Sequence, residues 1–161
     1  MAKMTPEGRR ARLIGRRQEK IVWNKAAVDA LHAGIADGLI ALGETIIADA
    51  RDNAPRDPEI AAKRGVPMMA DTGYFSVWGL GKLVSGSTAV AAGKNKPRGF
   101  RTPKDQVVLI TAFSSRLAHL IELGTIKMPA RPFLLPAFNR ALPGADKFVV
   151  PAIGKRVRAV R

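Results

Sequence analysis

Between Asn24 and Asn53, apolar residues recur at steps of three and four: Val28, Leu31, Ile35, Leu39, Leu42 and Ile46, extended by Ile47 and Ala50. This spacing predicts one amphipathic helix with a continuous apolar stripe. At 1.5 Å per residue it runs for about 45 Å. Asn24 suits the N-cap, because its side-chain oxygen can accept from a free amide of the first turn, and Pro55 ends the helix. Whatever the chain folds into must cover that stripe. Gly34, Gly38 and Gly43 fall inside it, each at a cost of about 1 kcal/mol relative to alanine. Two accounts stand side by side. Another backbone approaches closely there, within the domain or across a subunit contact, or ordinary packing tolerates the glycines.

The rest of the chain is shorter in its periods. Residues 54–70 contain Pro55, Pro58, Gly65 and Pro67 and read as an irregular loop. Asp71-Thr72-Gly73 reads as a turn or cap ahead of Tyr74–Val77, and Lys82–Ala92 is strand-like. The basic loop Lys94–Lys104 is expected to join two antiparallel strands as a long hairpin. Gln106–Phe113 (QVVLITAF) is the clearest strand, rich in β-branched residues. Ser114 is expected to cap a short helix, Ser115–Leu123, with Leu117, Leu120 and Ile121 inward and Gly124 as its C-terminal glycine. Arg131–Leu135 should be extended, since a residue ahead of proline avoids the helical region. Pro136 should open the next helix, Pro136–Leu142, and a last helix, Ala145–Val157, should kink at Pro151.

The 161 residues fit one domain, and 47% hydrophobic residues suffice for a core in which aromatics, at 6%, are few. Without cysteine there is no disulfide and no thiolate metal site. The apolar runs read as stopping short of the roughly 20 residues a bilayer requires, and no signal peptide is visible. The expected site of synthesis is the cytoplasm. Residues 1–23 read as a basic flexible arm ahead of a single domain over 24–161.

The net charge of +14 is clustered. Residues 1–20 carry seven basic side chains against Glu7 and Glu19, residues 94–104 carry five and residues 155–161 four, with no acid in the last two stretches. Such blocks attract polyanions: nucleic acid, an acidic protein surface or an anionic membrane. Arg9, Arg10, Arg12, Arg16, Arg17, Lys94, Lys96, Arg98, Arg101 and Lys104 are the candidate docking contacts. The plainer account makes the terminal blocks solubilising tails. Zinc-finger spacing, an aromatic RNA-binding pattern and a compact helix-turn-helix are all missing, so nucleic-acid contact would be to phosphate and salt-sensitive.

Catalytic chemistry finds little footing. His119 and Glu122 lie at i, i+3, with Ser115 four residues before, but no nucleophile elbow is present. His119-x-x-Glu122 is half of a dimetal pattern whose second copy is missing. Asp49 and Asp52 read as a solvated face, and Gly79–Ser87 lacks the order of a phosphate loop. No enzyme activity and no cofactor are expected.

Four stretches then fall into a telling order. IIADARDNAP (Ile46–Pro55) ends the long helix, and DTGYF (Asp71–Phe75) follows. HLIELGT (His119–Thr125) comes next, then MPARPFLLPAF (Met128–Phe138). Over about residues 24–142 the chain resembles the minor tail component, or tail-completion, proteins of long-tailed bacteriophages, which belong to the neck where head and tail join. That family's pattern has a T-G turn, an E-x-G-T segment and a P-x-P-F-L-x-P-A segment. Thr72 and Gly73, then Glu122, Gly124 and Thr125, then Arg131, Pro132, Phe133, Leu134, Pro136 and Ala137 stand in those places. The basic arm and the Pro143-Gly144 break depart from it. The resemblance implies an α+β fold, with a small antiparallel sheet packed against the long N-terminal helix and short helices at the C-terminal end. It implies a homo-oligomeric ring, a hexamer, around the DNA channel of the virion. The ring would complete the tail tube and dock on the head-side connector or stopper protein, with non-specific contact to packaged DNA and none to a membrane. The motif residues would then be subunit-interface positions. The alternative is a small basic protein that binds nucleic acid non-specifically.

Overall fold

The structure is a computed structural model describing residues 24–65, 67–79, 82–86, 106–115 and 117–160. The basic clusters over 1–20 and 94–104 lie outside the described residues, as do all ten candidate docking contacts. The architecture is α+β: a three-stranded antiparallel sheet, a long N-terminal helix packed on it, and helices at the C-terminal end. Helix α1 is Lys25–Asn53, α2 is Pro58–Arg64, and a 3-10 turn spans Met69–Thr72. The strands are β1 (Gly73–Gly79), β2 (Lys82–Gly86) and β3 (Val107–Phe113). Then come α3 (Ala118–Leu123), α4 (Leu134–Ala141), a 3-10 turn over Leu142–Gly144, and α5 (Ala145–Arg158).

Helix α1 begins as its sequence requires, with the Asn24 side chain accepting from the Ala26 amide at 3.0 Å. Its buried face is not the stripe of large residues throughout. Leu42, Ile46, Ile47 and Ala50 are buried in the C-terminal half, but Leu31 is exposed and Val28 only half-buried. In the N-terminal half Ala30, Gly34, Ala36 and Gly38 are buried instead. The glycines explain this. A Cβ at Gly34 would lie 2.6 Å from the Ile153 Cα, and one at Gly38 2.5 Å from the Val149 Cα. Here two helix backbones touch, so α5 lies closer to α1 than any larger residue permits. Of the two accounts of these glycines, close backbone approach within the domain holds for Gly34 and Gly38. Gly43 meets side chains instead, those of Leu109 and Phe75.

By length and composition alone α1 could cross a membrane, which corrects the reading that every apolar run is too short. In this fold the helix is covered on one side by the sheet and on another by α4 and α5. Ala36 and Ile47 pack with Phe75 and Val77, while Leu42, Ile46 and Ala50 pack with Ala137 of α4 and Ala145 and Phe148 of α5. Ala54, Ala70, Ala118 and Phe133 form a third cluster.

The strand order is β2-β1-β3, which corrects the expected hairpin across 94–104. Strand β1 is central. It pairs with β2 through the short connection at 80–81 and with β3 from Gly73↔Phe113 to Gly79↔Val107. A central strand is buried on both faces, and six of its seven residues are buried. Strand β2 ends at Gly86, and 87–92 lies outside the described residues. Residues 58–64 are helical, not irregular, because Pro58 takes the first helical position, where a missing N–H is harmless. Helix α3 starts at Ala118, later than expected, and Ser114 does not cap it; Leu117 and Leu120 are exposed while Ile121 packs on the third cluster. Helix α4 starts two residues early, with Leu134 and Leu135 helical and Pro136 third in line. Pro136 still falls in the first turn, where amides lack helical acceptors. Helix α5 continues through Pro151.

Candidate assembly interface

Three of the four stretches singled out in the sequence, Asp71–Phe75, His119–Thr125 and Met128–Phe138, meet at one corner of the molecule. Thr72 ends the 3-10 turn, its hydroxyl donating to the Met69 carbonyl at 2.7 Å and its own carbonyl accepting from the Ser114 amide at 3.0 Å. The Gly73 carbonyl accepts from Arg51 Nη2 at 2.6 Å, which ties the last turn of α1 to the start of β1. A Cβ on Gly73 would lie 2.9 Å from the Phe113 ring. That ring stands edge-on to Phe133, with centroids 4.9 Å apart and planes at 87°, an arrangement aromatic pairs favour. Phe133 is 2% exposed and sits in the chain's own core.

The Phe133 amide donates to Glu122 Oε2 at 2.9 Å, and the same oxygen accepts from the Leu134 amide at 3.1 Å. Oε1 accepts from the Leu135 amide at 2.8 Å. Phe133, Leu134 and Leu135 are the amides that open α4, and the next residue, Pro136, has none. One carboxylate from α3 therefore satisfies the free donors at this N-terminus and places its negative charge at the positive end of the helix dipole. Glu122 and Pro136, fourteen positions apart, act as a single capping device.

The loop between them is tied at its base. The Arg131 amide donates to the Ile121 carbonyl at 2.8 Å. Gly124 has φ 76°, a left-handed value that suits glycine, and its added Cβ would lie 2.7 Å from the Ala130 nitrogen. Thr125 and Met128 exchange backbone hydrogen bonds at 2.8 and 3.2 Å, and Thr125 Oγ1 accepts from the Lys127 amide. The side chain of Arg131 is exposed, and Pro132 lines a groove.

Around this framework lies uncovered apolar surface. Ile126 is fully exposed at the loop tip, Leu123 is 77% and Leu135 58% exposed, and Phe138 is partly so. Thr111, Leu123, Pro132, Leu134, Leu135 and Phe138 line a groove of about 350 Å³ between β3, α3 and α4. A second hollow of about 260 Å³ adjoins it along Phe113, Ala118 and His119. Among the described strands β3 is an edge, and its Thr111 lines this groove. Sequence reasoning found the motif but missed the patch. Its signal was Leu135 and Phe138 at i, i+3 on the side of α4 opposite the buried Ala137.

The polar groups weighed for chemistry go separate ways. Glu122 is spent on capping, His119 is exposed, and Ser115 Oγ accepts from the Leu117 amide. Asp49 is held by Arg140 and Asn53, and Asp52 by Arg56. Among the described residues no three His, Asp or Glu side chains cluster to hold a metal. In comparisons with known proteins, no family model, no curated protein and no solved structure matches the chain.

Proposed function

We propose that the chain is a structural subunit of a phage neck, assembling into a ring, a hexamer, that completes the tail tube and joins it to the head connector around the DNA channel. It acts in the virion after synthesis in the bacterial cytoplasm, without catalysis or a cofactor. One observation carries most of the support. Thr72-Gly73, Glu122–Thr125 and Arg131–Ala137, far apart in sequence, are joined through Phe113 and the Glu122 carboxylate into one rigid corner. That corner holds Leu123, Ile126, Leu135 and Phe138 out to solvent beside an apolar groove. Exposed apolar patches of this kind mark protein contacts. A head-to-tail contact between non-identical faces closes a ring when its rotation permits.

Native mass spectrometry and electron microscopy of the purified chain test this. Closed rings are expected, and in virions the chain should localise to the neck. A monomer with sequence-dependent, nanomolar DNA affinity sinks the proposal in favour of a nucleic-acid-binding protein. The clustered charge alone accords with both readings, so oligomeric state decides between them.

A further inference from the structure

Helices α1 and α5 pack antiparallel, and their contacts keep one register. Gly34 lies on Ile153, Gly38 on Val149, and Leu42 shares a cluster with Ala145. Each step of four residues up α1 matches four down α5. Carried outward for two more turns, the same register sets Arg158 beside the turn that holds Asp29. Helix α5 ends there, and Lys25 opens α1 one turn beyond Asp29. The last turns of α5 are exposed: Lys155 stands on them, Arg156 is paired with Asp37, and Arg158 Nε donates to the Gly154 carbonyl at 3.0 Å while its charge stays at the surface. Strand β3 also begins at this end: Val107 and Gly79 share a hollow with Asp29, His32 and Ala36 of α1. The fold thus gathers at one end the points where residues 1–23 join at Asn24, where 87–105 rejoins at Gln106, and where 155–161 finishes. These are the three attachment points of the three basic blocks.

The acids facing this end are few. Asp37 accepts from Arg156 Nε at 2.7 Å, a bond that raises the arginine's pKa, and Asp29 stands free-faced on α1. At the other end Asp49, Asp52, Asp57, Glu59 and Asp71 interleave with Arg51, Arg56, Lys63 and Arg140, so among the described residues no separate acidic face stands there to receive a second copy. A chain of net +14 needs its counter-charge from outside.

We infer that the end formed by the start of α1 and the finish of α5 is a binding face for the phosphate backbone of a nucleic acid, with Lys25, Lys155 and Arg158 as phosphate contacts. The face lies away from the apolar corner and stands whether or not the chain closes into a ring. Contact is to phosphate, and contacts of that kind fix a protein on the duplex without carrying sequence information.

The test uses the full chain and fluorescence anisotropy across a salt series with a random-sequence DNA duplex and a single strand of equal charge. Lys25→Gln/Lys155→Gln/Arg158→Gln is compared with Arg56→Gln/Lys63→Gln/Arg140→Gln, an equal charge loss at the other end. Each phosphate neutralised adds about 0.9 to the slope of log K against log salt. The first variant should lose about 2 to 3 of that slope and bind at least about tenfold more weakly, with the second close to wild type. Equal losses from both variants overturn the assignment, as does a wild-type chain that binds neither strand form at low salt. Binding of polyglutamate, but not DNA, that depends on Lys25, Lys155 and Arg158 also overturns it and makes the face a site for an acidic protein. Native mass spectra of the same samples report ring formation separately, so each idea fails on its own evidence.

Discussion

Replacing Glu122 with glutamine keeps the shape of the side chain and removes half of its accepting power. One oxygen would still take one set of amides, while the new NH₂ would face a donor across the other bond. The Phe133 and Leu134 amides are part-buried, and the Leu135 amide can recover a water. A part-buried amide that loses a charged acceptor costs about 1 kcal/mol or more, and loss of charge at a helix N-terminus adds about 0.5 kcal/mol. Glu122→Gln should therefore destabilise the fold by about 1 to 2 kcal/mol. Glu122→Ala, which strands both part-buried amides, should cost about 2 to 3. For a chain of this length a kilocalorie moves the melting temperature by about 2–4 °C, so the alanine variant should melt roughly 5–10 °C lower by calorimetry. If both variants lie within about 0.5 kcal/mol of wild type in urea titrations, the carboxylate does not hold α4 and the capping argument is wrong.

Further expectations concern packing and surface. Gly38→Ala gains about 1 kcal/mol of helix propensity, yet overpacking against the Val149 backbone costs about 1–3 kcal/mol; a net loss is expected in chemical denaturation, and a gain would refute close approach of α1 and α5. Phe133→Ala should cost about 3–5 kcal/mol as a core truncation. Unchanged stability with failed assembly would place that ring in an interface instead. Asp49→Asn, which breaks a partly exposed pair with Arg140, should change stability by less than about 1 kcal/mol. Leu123→Asp with Ile126→Asp should leave the melting temperature near wild type and abolish the oligomer in sizing and native mass spectra. A persistent ring would remove this patch from the interface.

The long helix was legible because its period is strong over thirty residues. Its packing was less so. Gly34 and Gly38 looked like a cost, and only Ile153 and Val149, more than a hundred residues away, show what the cost is for. The place of β1 at the centre of the sheet was hidden because GYFSVWG lacks alternation, being buried on both faces. The spacing of Glu122 and Pro136 was readable as two helix ends. That one carboxylate joins them depends on a tertiary turn that no local pattern encodes. Of the candidate site, the motif positions lie together, and the exposed apolar surface around them emerged only once the buried faces of α3 and α4 were known.

The tied base of the loop from Gly124 to Pro132 makes its tip replaceable. Ile121 holds Arg131, Glu122 holds the first amides of α4, and Gly124 nests against Ala130. Beyond them Thr125 and Met128 close a small turn, and the side chains of Ile126 and Lys127 at its tip take no part in the ties. Added length there costs only about 0.6 kcal/mol for each doubling. A peptide tag inserted after Ile126 should therefore be displayed on an intact subunit. In the proposed ring, variation confined to Ile126 and Lys127 would retune which neighbour the corner meets while the fold beneath it is untouched.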